Sequence, residues 1–199
     1  KKYVENQFSK KELIVFLKRR WFRTLPSYYL VLIINVVLVF IFQYPNEFIW
    51  KYFLFIQNLY QNNITFFTES WSLSIEEWTY IIMPIVLFFG GKFIDNKKYA
   101  FLFFSIAIII FSHLLRFYNY QNNQVYDMET WNSHVKSIVL LRIDSIVFGF
   151  LIAWFYYFKK EQLKIYCVYL FIISIHLFFL QFLFMNLLAV EIKTYPIYF

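Results

Sequence analysis

The sequence contains few of the residues that build the loops and linkers of soluble enzymes. Among 199 residues there are only 3 Gly, 4 Pro and 1 Cys, and charged residues make up 16%. The single Cys167 excludes an internal disulfide, and the shortage of glycine excludes a Gly-rich phosphate loop. Because no Gly/Ser-rich linker divides the chain, we treat residues 1–199 as part of one domain.

Metal-site and nucleophile motifs are also missing. The three histidines, His113, His134 and His176, do not have the spacing of metal ligands, and there is no G-x-S-x-G nucleophile elbow. We therefore predict no metal site. A lone histidine is more often a packing residue than a functional one. His134 is the best candidate for substrate binding because Trp131 and Arg142 are close to it in sequence.

Apolar and aromatic residues dominate instead, at 61% and 26% of the chain. A bilayer core about 30 Å thick is crossed by about 20 predominantly apolar residues in a helix. Five runs fit this length, at 26–44, 74–91, 99–117, 138–158 and 165–190. A shorter stretch, 48–60, carries Lys51, Gln57 and Asn58 and is predicted to be interfacial or re-entrant. The sequence thus predicts an all-α, polytopic transmembrane helix bundle with five or six spans.

The net charge of +7 is distributed unevenly among the connections between these runs. Fourteen of the 19 Lys and Arg residues lie in the segment ending at Arg23 and in the turns 92–98 and 159–164. These regions share one side of the membrane if the helices alternate. The positive-inside rule makes that side cytoplasmic, including the basic N-terminal segment. Anionic membrane lipids and cytosolic anions explain the charge better than nucleic acid does.

A cluster of four cations, Lys18, Arg19, Arg20 and Arg23, precedes Pro26, which is predicted to occupy the first turn of the first span. Guanidinium groups pair with phosphate through two parallel hydrogen bonds, so the cluster is a candidate binding site for a nucleotide-like cofactor. The alternative is that it only sets topology and contacts lipid headgroups.

The second span begins with two adjacent glutamates. Ser74 and Glu77 fit the S-x-x-E capping box, which predicts a structural role for Glu77 at the start of a helix. Glu76 lies on one helical face with Tyr80 and Pro84 and is predicted to point toward a neighbouring element. An ionisable side chain at membrane depth usually faces a partner or a cavity. Glu76 is therefore a candidate cavity residue, with an incidental interface charge as the alternative.

The fourth span contains Arg142 and Asp144. Two positions apart on a helix, they point about 200° away from each other, so each needs its own partner. Arg142 is predicted to contact Glu76, either as part of a functional cavity or as a purely structural ion pair. It faces the same seam as Ser145, the first member of a small-residue stripe that would allow close helix approach, formed by Ser145, Gly149 and Ala153.

Three segments, in this order, resemble the acyltransferase-3 family of multi-pass bacterial membrane enzymes, which acetylate O-antigens and other surface glycans. They are "FLKRRWFRTLPSYY", "FTESWSLSIEEWTYIIMPIVLF" and "LRIDSIVFGFLIA". A W-S-L-S-x-E-E block followed by an R-x-D-x-x-x-x-G helix, with R-R-x-x-R-x-x-P before both, is a specific combination. The resemblance covers nearly all of the chain.

The resemblance implies an enzyme of the bacterial cytoplasmic membrane that transfers an acyl group, usually acetyl. The donor would be cytosolic acyl-CoA as a co-substrate, with no bound cofactor, and the acceptor a hydroxyl of an extracytoplasmic glycan or lipid-linked sugar. By matching position, Arg19, Arg20 and Arg23 would bind the donor. Glu76, Arg142 and Asp144 would act in catalysis, and the substrate would contact a further set of residues, namely Trp71, Ser72 and His134.

The resemblance also implies missing parts. Family members carry a catalytic histidine on a first transmembrane helix, which would lie upstream of Lys1, and they have more helices than this chain. We therefore expect residues 1–199 to be a central piece of one such domain, truncated at its C-terminus and inactive by itself. Two other interpretations remain: a transporter or flippase segment for lipid-linked sugars, and an inactive truncated fragment.

Overall fold

A computed structural model describes residues 9–43, 48–60, 67–122 and 128–188, and in these ranges the chain is helical with no β-strand. The helices are α1 (Lys10–Phe42), α2 (Ile49–Phe53), α3 (Ser70–Gly90), α4 (Lys97–Asn122), α5 (Met128–Trp131), α6 (Val139–Phe158) and α7 (Lys160–Leu188), with a π-helical turn at Asn132–Lys136. By length and composition, α1, α3, α4, α6 and α7 can each cross a membrane. The predicted all-α, multi-pass bundle is confirmed, with five such helices.

Within the described residues each predicted span falls on one of these five helices, while Tyr44, Ala189 and Val190, the predicted ends of the first and fifth spans, lie outside the described residues. The predicted start of the first span is wrong. The helix α1 begins at Lys10, so the basic segment is helical and Pro26 lies inside the helix. Ser9 caps this helix and its hydroxyl accepts a hydrogen bond from the Glu12 amide at 3.4 Å. The Lys, Leu and Arg residues that follow are good helix formers, so the helix continues unbroken into its apolar half.

The helices α3, α4 and α6 pack against one another and form the core of the bundle. Met83 and Leu87 of α3 contact Ala100 of α4, and another apolar cluster joins α3 to α6. The helix α1 runs antiparallel to α3, since Phe16 lies beside Tyr80 and Thr24 beside Glu77. The helix α7 contacts α6, and its apolar window within Lys160–Leu180 contains no buried residue.

The segment 48–60 folds back against the bundle without crossing it. Only Ile49–Phe53 is helical, and hydrogen bonds from neighbouring helices satisfy the irregular backbone around it. The Tyr28 hydroxyl of α1 donates to the Tyr52 carbonyl at 2.8 Å, and the Trp78 indole of α3 donates to the Phe55 carbonyl at 2.8 Å. Non-helical backbone at membrane depth needs this kind of protein cover.

Asn58 joins the first turns of α3 and α6. Its buried side-chain amide donates to the carbonyls of Trp71 at 3.2 Å and Ser137 at 2.6 Å. Its own carbonyl accepts from the amide of Val139 at 2.9 Å, which gives α6 a backbone cap in place of a side-chain cap. One residue thus sets the relative position of the two helix starts that flank the candidate site.

Candidate functional site

An open cleft of about 350 Å³ lies between α3 and α6. Its walls are two helical faces, in which residues recur at spacings of three and four. The lining consists of Trp71, Ser72, Ile75, Glu76 and Tyr80 from α3, and Arg142, Ser145 and Ile146 from α6. This lining confirms that Glu76 and Tyr80 share a face directed toward a neighbouring helix, and that Arg142 and Ser145 lie on one face of α6. The close helix approach predicted for Ser145, Gly149 and Ala153 is wrong, because all three are exposed and a Cβ at Gly149 would meet no atom of the described residues within 4 Å.

Glu76 forms an ion pair with Arg20 of α1, a residue that is only 6% exposed. The Arg20 guanidinium also lies 3.5 Å from the centroid of the Tyr80 ring, and its Nε is 3.7 Å from Glu77 Oε1. The structure thus separates the predicted basic cluster. Arg20 is buried in the bundle, whereas Lys18, Arg19 and Arg23 are exposed and remain able to contact phosphates.

The predicted capping role of Ser74 and Glu77 is wrong, because α3 begins one turn earlier, at Ser70. Glu77 is 2% exposed and accepts a hydrogen bond from the Thr24 hydroxyl of α1 at 2.9 Å. Ser74 is also buried and accepts a 2.7 Å hydrogen bond from the Gln57 amide. Both side chains therefore join α3 to other segments. The S-x-x-E pattern that does begin a helix is the one starting at Ser9.

Arg142 does not form the predicted ion pair with Glu76. Both residues line the cleft, but the carboxylate of Glu76 is engaged by Arg20 from the other side. Among the described residues no carboxylate pairs with Arg142, and its buried Nε has no hydrogen-bond partner. The cleft therefore has a carboxylate on its α3 wall and an uncompensated guanidinium on its α6 wall.

Asp144, to which the family resemblance gives a catalytic role, does not line the cleft, and, as its spacing from Arg142 predicts, it has a partner of its own. It is buried on the opposite face of α6, where it pairs with Arg116 of α4, and His113 Nδ1 lies 4.0 Å from its Oδ2. The sequence analysis missed Arg116 as its partner. A usable signal was present, because Arg116 falls inside the predicted span 99–117, where an unpaired charge would be costly.

His134 lies outside the cleft lining as well. It is exposed, and its Nδ1 lies 3.1 Å from the Thr130 carbonyl in the π-helical turn. Lys136 of this turn was not predicted from the sequence. Its Nζ is 5.4 Å from the centroid of the Trp71 ring and 6.0 Å from that of Trp131. This contact places a cation beside Trp71, one of the residues that line the cleft.

The chemistry of the cleft follows from these side chains. The hydroxyls of Ser72 and Ser145 donate to carbonyls of their own helices, at 3.4 and 2.7 Å, so their oxygens remain acceptors. Trp71 and Tyr80 supply aromatic surface. A few polar groups converging on a partly apolar cleft are typical of a small-molecule site. Within the part of the chain that the structure describes, no three His, Cys, Asp or Glu residues lie close enough to bind a metal ion.

Comparison with known proteins adds no further assignment. The chain matches no family model, no curated protein and no solved structure.

Proposed function

We propose that this chain belongs to a membrane O-acyltransferase of the acyltransferase-3 type. It would transfer an acyl group, usually acetyl, from cytosolic acyl-CoA to a hydroxyl of an extracytoplasmic glycan or lipid-linked sugar. The observation that supports this proposal is the cleft between α3 and α6, which presents Glu76 and Arg142 on facing walls. Bacterial cytoplasmic membrane is the proposed location, with the basic start of α1 on the cytoplasmic side.

Acyl transfer to an alcohol requires removal of the hydroxyl proton and stabilisation of the negative charge that develops on the acyl carbonyl oxygen. In this proposal Arg142 supplies positive charge to the cleft in which the acyl group and the acceptor meet. Glu76, held in place by Arg20, accepts a hydrogen bond from the base or from the acceptor hydroxyl. The base would be the histidine that the family resemblance implies, which is not part of this chain. Arg19 and Arg23 would bind phosphates of the donor.

The two adjacent glutamates provide the test. In the protein expressed from its complete open reading frame, Glu76→Gln keeps the side-chain shape but removes the charge that faces the cleft. We expect it to accumulate in membranes at the normal level and to lose most transfer from labelled acetyl-CoA to glycan. Glu77→Gln, whose side chain is buried against Thr24 and Arg20, should instead lower the amount of folded protein and leave the activity per folded molecule largely intact.

Equal activity per folded molecule in the two variants would contradict a role for Glu76 in transfer. Glu161→Gln, at an exposed pair with Lys164, is the control for loss of a carboxylate elsewhere and should match the unmodified protein in both measurements.

The second candidate, a transporter or flippase for lipid-linked sugars, is favoured by one observation: an uncompensated Arg142 beside an open cleft, as in a polar substrate path. The same labelled-donor assay separates the two proposals. A transporter would move the sugar across proteoliposomes without acyl-CoA and without acquiring label, whereas the acyltransferase would label its acceptor.

A further inference from the structure

Three arginines, Arg20, Arg116 and Arg142, lie within the helical bundle, and they differ in their carboxylate partners. Arg20 pairs with Glu76 and contacts Glu77, and Arg116 pairs with Asp144. For Arg142 there is no carboxylate partner among the described residues. Its Nε is buried without a hydrogen bond, as are those of Arg20 and Arg116. A charged group at membrane depth is usually retained only with a partner or a function. The missing partner of Arg142 is therefore to be sought in what fills the cleft.

Neither acid near Arg142 is available to it. Asp144 is on the opposite face of α6 and is already bound to Arg116. Glu76 lines the cleft, but its carboxylate is held by Arg20 from behind the wall. The guanidinium of Arg142 is thus on the α6 wall, and the carboxylate of Glu76 is on the α3 wall.

We propose that the cleft binds an acidic sugar whose carboxylate or phosphate group contacts Arg142 and whose hydroxyl group contacts Glu76. The anionic group would supply the counter-charge and hydrogen-bond acceptors that Arg142 lacks, through a charge-assisted contact. The hydroxyl would donate to Glu76 at the facing wall, and the sugar ring would lie against Trp71. This polarity fixes the orientation of the sugar, because reversal would place its anion against a carboxylate.

Only the statement that the bound sugar is the acyl acceptor rests on the proposed function, because sugar binding can be measured without acyl transfer. If the sugar is the acceptor, then the glycan that this protein modifies carries acidic residues, and the modified hydroxyl lies on the side of the ring away from the acidic group.

The test compares three ligands that differ only at carbon 6: methyl glucoside, methyl glucuronide and methyl glucoside 6-phosphate. The protein, expressed from its complete reading frame, is placed in nanodiscs of neutral phosphatidylcholine, and binding is titrated at low salt by tryptophan fluorescence. A hydrogen bond to a charged group contributes about 1.5–3 kcal/mol, so the acidic ligands should bind about tenfold or more tightly than methyl glucoside. The glucuronide and phosphate arms show which acid is preferred.

Arg142→Gln should reduce this preference to less than about threefold, and Arg142→Lys, which keeps the charge, should retain part of it. Lys160→Gln removes one exposed positive charge far from the cleft and should leave the preference unchanged. Equal binding of all three sugars, binding of none, or an unchanged preference in Arg142→Gln would each overturn the proposal. Tighter binding of the acidic sugars by a protein that shows no acyl transfer would support acidic-sugar binding and contradict the proposed acyltransferase activity.

Discussion

At the scale of single residues, the bundle contains a buried ion pair that is incompletely satisfied. Arg116 and Asp144 contact each other between α4 and α6, yet the Nε of the arginine and the Oδ1 of the aspartate have no hydrogen-bond partner. A buried pair of this kind contributes little net stability, because desolvation offsets the attraction, but removing one member strands the other charge.

We therefore expect Asp144→Ala to lower the free energy of unfolding by about 3–5 kcal/mol, because it leaves Arg116 buried without a counter-charge. The double variant Arg116→Met, Asp144→Leu should recover most of that loss. Unfolding in mixed micelles, titrated with dodecyl sulfate and followed by circular dichroism, measures both. A double variant no more stable than Asp144→Ala would show that the pair, rather than the stranded charge, carries the stability.

The same residues show which parts of the site could be predicted from sequence. Helical spacing correctly placed Glu76 with Tyr80, and Arg142 with Ser145, because residues three and four apart share a face. The ion pairs were not predictable in this way. Arg20 and Glu76 are far apart in the chain, and their contact depends on how α1 packs beside α3. The periodicity of one helix contains no information about which helix lies next to it.

At the scale of elements, the segment 48–60 is positioned by polar side chains that a membrane helix would not tolerate. Gln57 and Asn58 are fully buried and bond to α3, and Asn58 also bonds to the residue before α6. These residues explain why the stretch was predicted not to be an ordinary span. Their partners were not predictable, because the hydrogen bonds join segments distant in the sequence.

Asn58→Leu should lower the free energy of unfolding by about 1–3 kcal/mol, because it removes the donor to two buried carbonyls. Asn58→Asp should lower it further, since a carboxylate would face the carbonyl oxygens of Trp71 and Ser137. The control is Asn35→Leu, because the Asn35 amide bonds only to Val31 of its own helix. Thermal unfolding in detergent compares the three variants. The assignment fails if Asn58→Leu is as stable as Asn35→Leu.

At the scale of the whole molecule, the antiparallel packing keeps the basic turns together. The turn between α3 and α4 and the junction of α6 with α7 meet where the Trp154 indole donates to the Lys98 carbonyl at 3.0 Å. The basic first half of α1 lies toward the same end, because α1 is antiparallel to α3. Alternation of apolar spans was enough to predict this arrangement. The start of α1 at Lys10 was not predicted, because the charges before Pro26 were interpreted as preceding the first turn of the helix.

The orientation of this basic end is a separate prediction. In a Cys167→Ser background, cysteines at Asn96 and Glu161 should be protected from membrane-impermeant thiol reagents in intact cells, and one at Gln121 should react, because the positive-inside rule retains the basic end in the cytoplasm. All three positions are exposed in the structure, so access depends on the side of the membrane. The reverse labelling pattern would exchange the proposed donor and acceptor sides.

The contact of Thr24 with Glu77 has a consequence for the lipids around the protein. Beyond this level the apolar half of α1 extends toward Phe42 for about 25 Å, whereas the apolar half of α3 extends the opposite way, toward Gly90, for about 20 Å. The apolar halves of α1 and α3 are therefore staggered along the helix axes, and their combined length exceeds a hydrocarbon thickness of about 30 Å. A flat bilayer of that thickness covers both apolar halves only if the helix pair tilts or the leaflets deform around it. Acyl-chain length in the surrounding membrane should thus act directly on the α1–α3 contact that holds Arg20 against Glu76.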